Sequence, residues 1–507
     1  MSSSAKRDAI IVASAAALVY CASMRGSFHL DDFAHIVDNP AIQSLSNPAA
    51  VLGYFPSRAL AFAAFAANYA VNGFNAAGWH IANIALHMAA SLLCLLLVRR
   101  LAPPAALPCA LYFAVHPLQT EAVAYIYQRS AILAALFYMA AIYLYFGFRD
   151  ANDRRKLAGS LLCALAAYFS KENSLSLPAA VAAAELIYFS GDGKTALKRA
   201  APYMLLWLPA LWAVAHSGTF VDIEKLRGRQ AAAPLEYFAS QPFVLLQYLR
   251  LAVFPAGQCL LHDIKPAGGL LSARFLLPAA AITALACAAF ARFKNNKAAV
   301  FGLSWFFITL FIESGFIPLQ DLMFEHRMYL PIMGLALFFV AASDEIFGPR
   351  RIIHFALIAA LGITAFARTL VWSGEFSLWA DNAAKSPRLP APYNNLGAAY
   401  LDSGNNEQAR LLFEKSIGAD PHFGQAWNNM GLALYRLGRK EEARAAFQKA
   451  ALLGPDRDDA LNNLGNMLFA GGDYAGAAAQ YRLALGFNPR NRKAARNLAL
   501  AGRKMAK

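Results

Sequence analysis

Residues 394–421, NNLGAAYLDSGNNEQARLLFEKSIGADP, form a pattern that recurs twice more at a period of 34 residues, starting again at 428 and at 462. Small residues allow the two helices of a pair to approach closely, an aromatic ring fills their interface, and proline ends the second helix. The stretch therefore predicts three helical pairs stacked in series. The columns that carry this prediction are Gly397, Gly431 and Gly465; Ala409, Ala443 and Ala477; Phe413, Phe447 and Tyr481; Pro421, Pro455 and Pro489.

This period and these columns are the pattern of the tetratricopeptide repeat (TPR). They predict an α-solenoid of three repeats over residues 390–491. A polar helix at 492–507 would cap the stack, because the last repeat of a solenoid needs a solvent-facing surface. Residues 372–389 would then be a linker to the preceding part of the chain.

Each repeat also carries two adjacent asparagines in its first helix. An amide side chain offers donors and acceptors, so a row of such pairs could hold an extended acceptor peptide by its backbone. Such a groove would resemble the asparagine-lined groove of the nucleocytoplasmic O-GlcNAc transferase repeats. The alternative is that asparagine is simply frequent in the first helix of TPR pairs. The pairs are Asn394 and Asn395, Asn428 and Asn429, and Asn462 and Asn463.

The chain before the repeats has the composition of a membrane protein. Of all residues 58% are hydrophobic and 15% are charged, and apolar runs of roughly 16 to 22 residues follow one another, long enough to cross a bilayer as helices. We expect an all-α chain, in which a polytopic transmembrane helical bundle at 1–371 precedes the solenoid. The predicted spans, eleven in number, are 9–24, 79–98, 106–124, 130–148, 157–171, 174–190, 200–216, 273–292, 298–313, 328–346 and 352–371.

Basic residues between the apolar runs set the predicted topology. Eleven spans place the short Lys and Arg clusters on the side of the N-terminus, which the positive-inside rule makes cytoplasmic. This distribution explains the net charge of +15 better than nucleic-acid binding does. The repeats then face outward: into the periplasm of a bacterial inner membrane, or into the lumen if the membrane is that of an endoplasmic reticulum.

Two acids, Asp31 and Asp32, follow the first predicted span on the outer side. Either carboxylate could act as a general base on an acceptor hydroxyl, or the pair could bind a divalent cation. The alternative is an acid pair at a helix-to-loop junction that water solvates.

A second set of outer residues is basic or mixed in charge. Glu325, His326 and Arg327 precede a predicted span, and a guanidinium fixed by a carboxylate can bind a phosphate at two points. The alternative for Arg327 is an arginine that anchors the helix end. Four further residues of this side, with similar alternatives, are Arg129, Lys171, His116 and Glu121.

Acids on the first outer loop, basic residues at outer helix ends and a partner-binding domain together resemble the GT-C glycosyltransferases. More narrowly, the order of motifs resembles the transmembrane and tetratricopeptide repeat-containing (TMTC) O-mannosyltransferases. The motifs are FHLDDFAHIVDNP (28–40), GWHIANIALHMAASLL (78–93), FAVHPLQTEAVAYIYQRSAILAALFYMAAIYLY (113–145), FSKENSLSLP (169–178) and ESGFIPLQDLMFEHRMYLP (313–331).

The resemblance implies transfer of mannose or a related sugar, with inversion, from a polyprenyl-phosphate donor to a Ser or Thr hydroxyl of an exported protein. Asp31 and Asp32 match the acidic motif of the first outer loop, and we favour Asp31 as the base. Arg327 would hold the donor phosphate and Glu325 would orient it. No cofactor is required, although a divalent cation could sit at the aspartates. The chain departs from the animal members in having only three repeats, which leaves the acceptor open.

Two other functions are compatible with parts of the sequence. The chain could be a membrane scaffold whose repeats recruit exported proteins, but an anchor needs one span rather than eleven. It could instead be a flippase or transporter of lipid-linked sugars. That function predicts ionisable residues near the middle of the membrane, whereas those singled out here lie at outer helix ends.

Overall fold

A computed structural model describes residues 3–189, 191–217, 233–315, 319, 321–454 and 457–506. These residues form helices and connecting turns and contain no β-strand, which confirms the all-α prediction. The chain divides into two compact units. The first extends to Gly374, and the second contains Glu375–Lys507 together with the short segment Leu261–Asp263.

Sixteen α-helices build the described part of the first unit. In chain order they are α1 Ser3–Tyr20, α2 Pro48–Tyr54, α3 Ala59–Asn72, α4 Ala76–Leu101, α5 Ala106–Val115, α6 Thr120–Ala124, α7 Arg129–Ala151, α8 Arg154–Tyr168, α9 Leu177–Ala184, α10 Gly193–Leu205, α11 Trp207–His216, α12 Pro234–Val253, α13 Ala273–Phe293, α14 Lys297–Leu310, α15 Pro331–Phe347 and α16 Arg351–Val371.

Short 3-10 or π turns join several of these helices and carry Arg58, Glu172 and the Glu325-His326-Arg327 triplet. They are Cys21–Arg25, Phe33–Val37, Pro40–Gln43, Pro56–Arg58, Pro103–Ala105, Pro117–Gln119, Ile126–Gln128, Glu172–Ser176, Glu185–Phe189 and Glu325–Met328.

The helices that are long and apolar enough to cross a membrane number five among the described residues: Ser3–Arg25, Ala76–Leu101, Ile126–Ala151, Ala273–Phe293 and Arg351–Val371. The pair Pro48–Tyr54 and Pro56–Asn72, bent by 104°, passes the same test jointly. Other predicted spans are divided. The run 106–124 breaks after Val115, because the residue before Pro117 is disfavoured in helical conformation, and the run 200–216 breaks at Leu206. The count of eleven crossings therefore stays a prediction.

Side-chain caps and close helix packing explain where the helices of the first unit begin and how tightly they meet. Asn75, Asp153 and Asn296 each accept a backbone N–H at the start of α4, α8 and α14, which satisfies donors that a helix cannot pair internally. Helices α14 and α15 approach at Gly302 and Gly334. A Cβ added to Gly302 would lie 2.5 Å from the carbonyl oxygen of Gly334, so this crossing requires glycine.

The second unit is a solenoid of eight helices in its described residues. They are α17 Glu375–Lys385, α18 Pro390–Asp402, α19 Asn406–Ala419, α20 Gly424–Arg436, α21 Lys440–Leu452, α22 Arg457–Ala470, α23 Tyr474–Phe487 and α24 Arg492–Met505. The pairs α18–α19, α20–α21 and α22–α23 are the three predicted repeats. The small and aromatic residues of the repeat pattern pack against each other between the two helices of a pair, as predicted. A Cβ on Gly431 would lie 2.7 Å from the ring of Phe447. Pro455, predicted to end α21, lies outside the described residues.

Half a repeat stands at each end of these three pairs. Counting back one period from Phe413 and Pro421 gives Trp379, which is 1% exposed, and Pro387. Helix α17, inside the predicted linker 372–389, thus occupies the place of a second repeat helix and packs on α18. Helix α24 packs on α23 and occupies the place of a first repeat helix, with Asn497 one period after Asn463.

Candidate active site

The loop after α1, residues 26–32, is held by the buried carboxylate of Asp32. Its Oδ2 accepts the backbone N–H of His29 at 2.9 Å, and its Oδ1 accepts the backbone N–H of Tyr127 at 2.7 Å. Burial raises the pKa of Asp32 to about 7, although the two N–H donors act in the opposite direction. Both oxygens are thus used inside the protein, and Asp32 ties this loop to the turn before α7.

Asp31 is exposed, in contrast to its neighbour. Its backbone N–H donates to the hydroxyl of Tyr125 at 2.9 Å, and its carboxylate also interacts with that hydroxyl. The preceding residue, Leu30, has a φ of +47°. A branched side chain rarely adopts this left-handed conformation, and such strain persists only where surrounding contacts enforce it. The contacts of Asp32 and Tyr125 therefore hold Asp31 at a fixed, solvent-accessible position.

Glu121 organises the turn Glu325–Met328 from a position 204 residues earlier in the chain. Its Oε2 accepts the backbone N–H groups of Glu325 at 2.9 Å and His326 at 3.2 Å, and its Oε1 lies 2.5 Å from Nδ1 of His326. Burial and the nearby cations Lys171 and Arg327 lower the pKa of His326 well below its ordinary value. The imidazole is then neutral at pH 7, and its Nδ1–H donates to Glu121.

Glu325 makes its own contacts with the segment that follows α12. Its Oε1 accepts the backbone N–H of Cys259 at 2.9 Å, and its Oε2 accepts the amide of Gln258 at 2.6 Å. The side chain of Glu325 is 2% exposed. In this structure Glu325 positions the 258–259 segment, and the orienting contact with a donor that the resemblance implies stays a prediction.

Arg327 is also buried and partly committed to protein acceptors. Its Nη1 donates to the hydroxyl of Tyr237 at 3.1 Å and to the carbonyl of Leu322 at 3.0 Å, and its Nη2 donates to the carbonyl of Asp321 at 2.9 Å. A guanidinium has five N–H donors. The N–H groups of Arg327 that these three contacts do not use can bind one further anion, while the three contacts hold the guanidinium in place.

Lys171 lies in an ion pair with Glu313. The Nζ–Oε1 distance is 2.8 Å, and the amide of Asn173 donates to the other carboxylate oxygen at 3.3 Å. The carbonyl of Glu313 accepts the hydroxyl of Tyr237 at 2.7 Å. Because Tyr237 also receives Arg327, the two cations Lys171 and Arg327 are joined through one tyrosine and one glutamate.

Arg58, which the sequence reasoning did not identify, is a third cation of this region. Its guanidinium forms a two-point contact with Glu172 at 3.1–3.2 Å, and Ser57 donates to the same carboxylate at 2.7 Å. Burial acts to raise the pKa of Glu172, but Arg58 outweighs it and lowers that pKa. The side chain of Arg58 is 21% exposed, against 6% for Lys171.

Tyr127 connects the acid loop to these cations. Its backbone N–H holds Asp32, while its hydroxyl accepts Arg58 at 3.4 Å. The partner of Arg58, Glu172, is adjacent in sequence to Lys171. Hydrogen bonds and ion pairs, together with the peptide link between Lys171 and Glu172, therefore connect Asp32 through Arg58 and Lys171 to Arg327. These connections join the acid loop to two of the predicted cations, Lys171 and Arg327, but do not include Arg129.

Arg129 has a different environment from these cations. Four of its five donors are used: Nε by Asn83 at 2.7 Å, Nη2 by Asn68 at 2.7 Å and by the carbonyl of Trp79 at 3.1 Å, and Nη1 by the carbonyl of Ala64 at 3.2 Å. Rings of Phe65 and Trp79 lie 5.2 and 5.3 Å from the guanidinium carbon. With 1% exposure, this placement favours a structural role over contact with a donor phosphate.

His116 also uses both of its ring nitrogens inside the protein. Nε2 lies 3.0 Å from the carbonyl of Ala252, and Nδ1 accepts the backbone N–H of Leu118 at 3.1 Å. These contacts match the alternative of a histidine that ends a helix before proline.

The asparagine pairs of the solenoid bind one another between repeats. Nδ2 of Asn429 donates to Oδ1 of Asn394 at 2.9 Å, and Nδ2 of Asn463 donates to Oδ1 of Asn428 at 3.0 Å. Asn497 of α24 continues the series to Asn462 at 2.9 Å. Within the first repeat, Asn394 also donates to Asn395 at 3.1 Å. We name these three inter-repeat contacts the asparagine ladder. Part of the amide capacity therefore stabilises the stack, and binding of an acceptor peptide stays a prediction.

Removing one contact of the asparagine ladder should weaken the solenoid modestly. For Asn429→Ala we expect a loss of about 1 kcal/mol, because one hydrogen bond disappears and the Asn394 oxygen, which is largely buried, loses its donor. Hydrogen exchange of helices α18 and α20 measures the effect. Gln448→Ala, an exposed change in α21, serves as the control, and equal exchange in the two variants would show that the ladder carries no stability.

Metal ligands are not grouped in the part of the chain that the structure describes: no three His, Cys, Asp or Glu residues lie close enough together to hold an ion. At the acid pair, the two Asp32 oxygens are occupied by backbone N–H donors. A cation there would depend mainly on Asp31 and on ligands from outside the protein.

The apolar helices and the helical repeats define an integral membrane protein with a TPR solenoid. The family model described as tetratricopeptide repeat matches residues 394–457 and 430–492. The predicted repeat family is thereby confirmed.

The chain is similar to several proteins named Protein O-mannosyl-transferase. It is 24% identical to Protein O-mannosyl-transferase F38B6.6 of Caenorhabditis elegans over 83% of this chain and 64% of that protein. It is 23% identical to Protein O-mannosyl-transferase Tmtc3 of Drosophila melanogaster over 71% of this chain and 48% of the relative. Human Protein O-mannosyl-transferase TMTC4 shares 32% identity over 28% of this chain and 23% of its own length. The matches thus span about two thirds or less of each relative.

Solved structures match the chain at low overall similarity. The first TPR domain of the human RPAP3 protein is 23% identical and covers 24% of this chain and 94% of its own, with a TM-score of 0.23. The MamA protein is 22% identical and covers 26% of this chain and 72% of its own, with a TM-score of 0.23.

Proposed function

We propose that this chain is a membrane glycosyltransferase that moves mannose or a related sugar from a polyprenyl-phosphate donor to hydroxyl groups of exported proteins. The observation that carries the proposal is the exposed carboxylate of Asp31 on a loop that the buried carboxylate of Asp32 holds in place. This loop is connected to the cations Arg58, Lys171 and Arg327. The names of the homologues support the sugar-transfer chemistry.

Asp31 is the proposed general base. It would accept the proton of the acceptor hydroxyl as the hydroxyl oxygen forms its bond to the anomeric carbon. Asp32 is the proposed positioning residue, because its two backbone contacts and the strained Leu30 fix the direction of its neighbour. A single displacement from the face opposite the phosphate inverts the anomeric carbon.

The leaving group is a polyprenyl phosphate, whose charge grows as the bond from the anomeric carbon to oxygen breaks. Arg58, Lys171 and Arg327 are proposed to stabilise that charge. Cations preorganised in a water-poor site stabilise developing charge at little reorganisation cost, and each of these three is already held by a protein acceptor. Arg58 has a more exposed side chain than Lys171 or Arg327, so it is the first candidate for direct contact with the donor phosphate.

The solenoid is the proposed acceptor-binding element, and its place on the exported side follows from the positive-inside distribution. Repeat solenoids present extended surfaces that suit unfolded or flexible polypeptides. The surface left beside the asparagine ladder includes Asn395 and Asn466, which are not fully buried.

Reconstitution tests the proposal directly. The purified chain in liposomes would receive polyprenyl-phosphate mannose and an unfolded Ser/Thr-rich polypeptide, and mass spectrometry would follow hexose on the acceptor. We expect time-dependent hexose transfer with release of polyprenyl phosphate. Donor binding without transfer to any offered polypeptide would favour a lipid-sugar transporter, and absence of both would favour a scaffold.

Removal of divalent cations should leave this transfer nearly unchanged. With EDTA in the assay we expect less than about a twofold loss of rate, because side-chain cations rather than a metal stabilise the phosphate. The control is the same assay with added Mg²⁺ or Mn²⁺. A complete loss with EDTA that is restored by one metal would show that the transfer requires a cation and would contradict this expectation.

A further inference from the structure

The end of the solenoid has a charge distribution unlike the rest of it. Residues 474–506 contain seven Lys or Arg and no Asp or Glu, whereas residues 375–473 contain ten Lys or Arg and twelve Asp or Glu. The segment at the end is therefore strongly basic, and the preceding part is slightly acidic.

Helix α24 arranges this charge on one surface. At about 100° per residue, Arg496 and Arg503 lie roughly 40° and 20° around the helix from Arg492, so the three form one strip. All three are exposed. The buried residues Ala494 and Ala501, both 0% exposed, lie on the opposite side of α24, about 200° and 180° away from Arg492. We name Arg492, Arg496 and Arg503 the arginine strip.

Neighbouring acids do not neutralise the arginine strip. Earlier in the solenoid, Arg410 pairs with Glu407 and Arg439 pairs with Glu442. No ion pair engages the basic residues of α24 among the residues that the structure describes. Lys493 and Lys504, also exposed, add two further positive charges beside the strip.

We propose that the arginine strip docks the end of the solenoid on a bilayer surface rich in anionic phospholipid. A straight strip of three guanidinium groups fits a flat array of phosphates, with which guanidinium makes two-point contacts. Basic residues near an anionic leaflet are attracted within about one Debye length. The chain is itself anchored in a bilayer, so such a surface is always present at high effective concentration. The inference does not depend on the proposed transferase activity.

Hydrogen exchange of the full chain in nanodiscs tests this inference. We compare discs of phosphatidylcholine with discs of equal parts phosphatidylcholine and phosphatidylglycerol, and follow peptides of α24. On the anionic discs we expect exchange slowed on the order of tenfold at low salt, with the protection lost at high salt. The triple variant Arg492→Gln, Arg496→Gln, Arg503→Gln should exchange equally fast on both discs.

Two variants separate docking from folding. Lys440→Gln, Arg444→Gln and Lys449→Gln together remove the same charge from exposed positions of α21 and should keep the protection. Replacing the three arginines of the strip by lysine keeps the charge and should also retain most of it. Equal exchange of wild-type α24 on both discs overturns the proposal, and so does protection by added poly-glutamate but not by anionic lipid.

Discussion

Asp31→Asn should lower the rate of sugar transfer by a factor of about 10² to 10⁴, the usual contribution of a general base. The amide is nearly isosteric with the carboxylate and cannot accept the hydroxyl proton. Because Asp31 is exposed and asparagine can still accept the hydroxyl of Tyr125, we expect little change in thermal stability. The measurement is initial transfer rate in liposomes, together with the unfolding midpoint of the same preparation.

Asp38→Asn is the matched control for this variant. Asp38 is an exposed acid close in sequence to Asp31, next to the π turn Phe33–Val37, and its loss should leave the rate within about twofold. Asp32→Asn should behave differently from both, since its amide nitrogen would face one of the two backbone N–H donors. Full activity of Asp31→Asn with an inactive but folded Asp32→Asn would reverse the two assigned roles.

Arg129→Met should give the largest loss of stability, about 3 kcal/mol or more. Methionine replaces the length of the side chain but leaves the oxygens of Asn68 and Asn83 and two carbonyls without donors in a buried place, and each such group costs about 1–3 kcal/mol. It also removes the cation that lies beside the rings of Phe65 and Trp79. The unfolding midpoint of the detergent-solubilised chain measures this effect.

Arg155→Met provides the comparison for this substitution. Arg155 is exposed at the start of α8, and its replacement should shift the midpoint little. A normal midpoint for Arg129→Met combined with weakened donor binding would instead support the donor-phosphate role that the sequence suggests for Arg129.

The repeat domain could be predicted from sequence because its information is local and periodic. The columns of Gly431 and Phe447 recur every 34 residues, and each column has one steric meaning. The half-repeat at α17 was not predicted from this pattern. Only Trp379 and Pro387 keep the pattern there, and the glutamate at position 375 replaces the alanine column.

The site was predictable only in its residue types. The acid pair and the Glu325-His326-Arg327 triplet stand out as charges beside apolar runs, so composition finds them. Composition does not identify the residues with which they pair. Arg58 is a lone arginine whose carboxylate, Glu172, lies 114 residues away, and Glu121 reaches Glu325 across 204 residues. Pairings of this range depend on how helices pack, which no periodicity encodes.

The asparagine ladder affects how unfolding spreads along the solenoid. Each contact joins one repeat to the next and to no other, so the energetics resemble a row of coupled neighbours rather than a single cooperative block. Fraying that starts at α24 would advance one repeat at a time. A polypeptide bound across two repeats would stabilise the contact between them and stop the unfolding there. The lifetime of the bound polypeptide and the rate of local unfolding would then depend on the same contact between repeats.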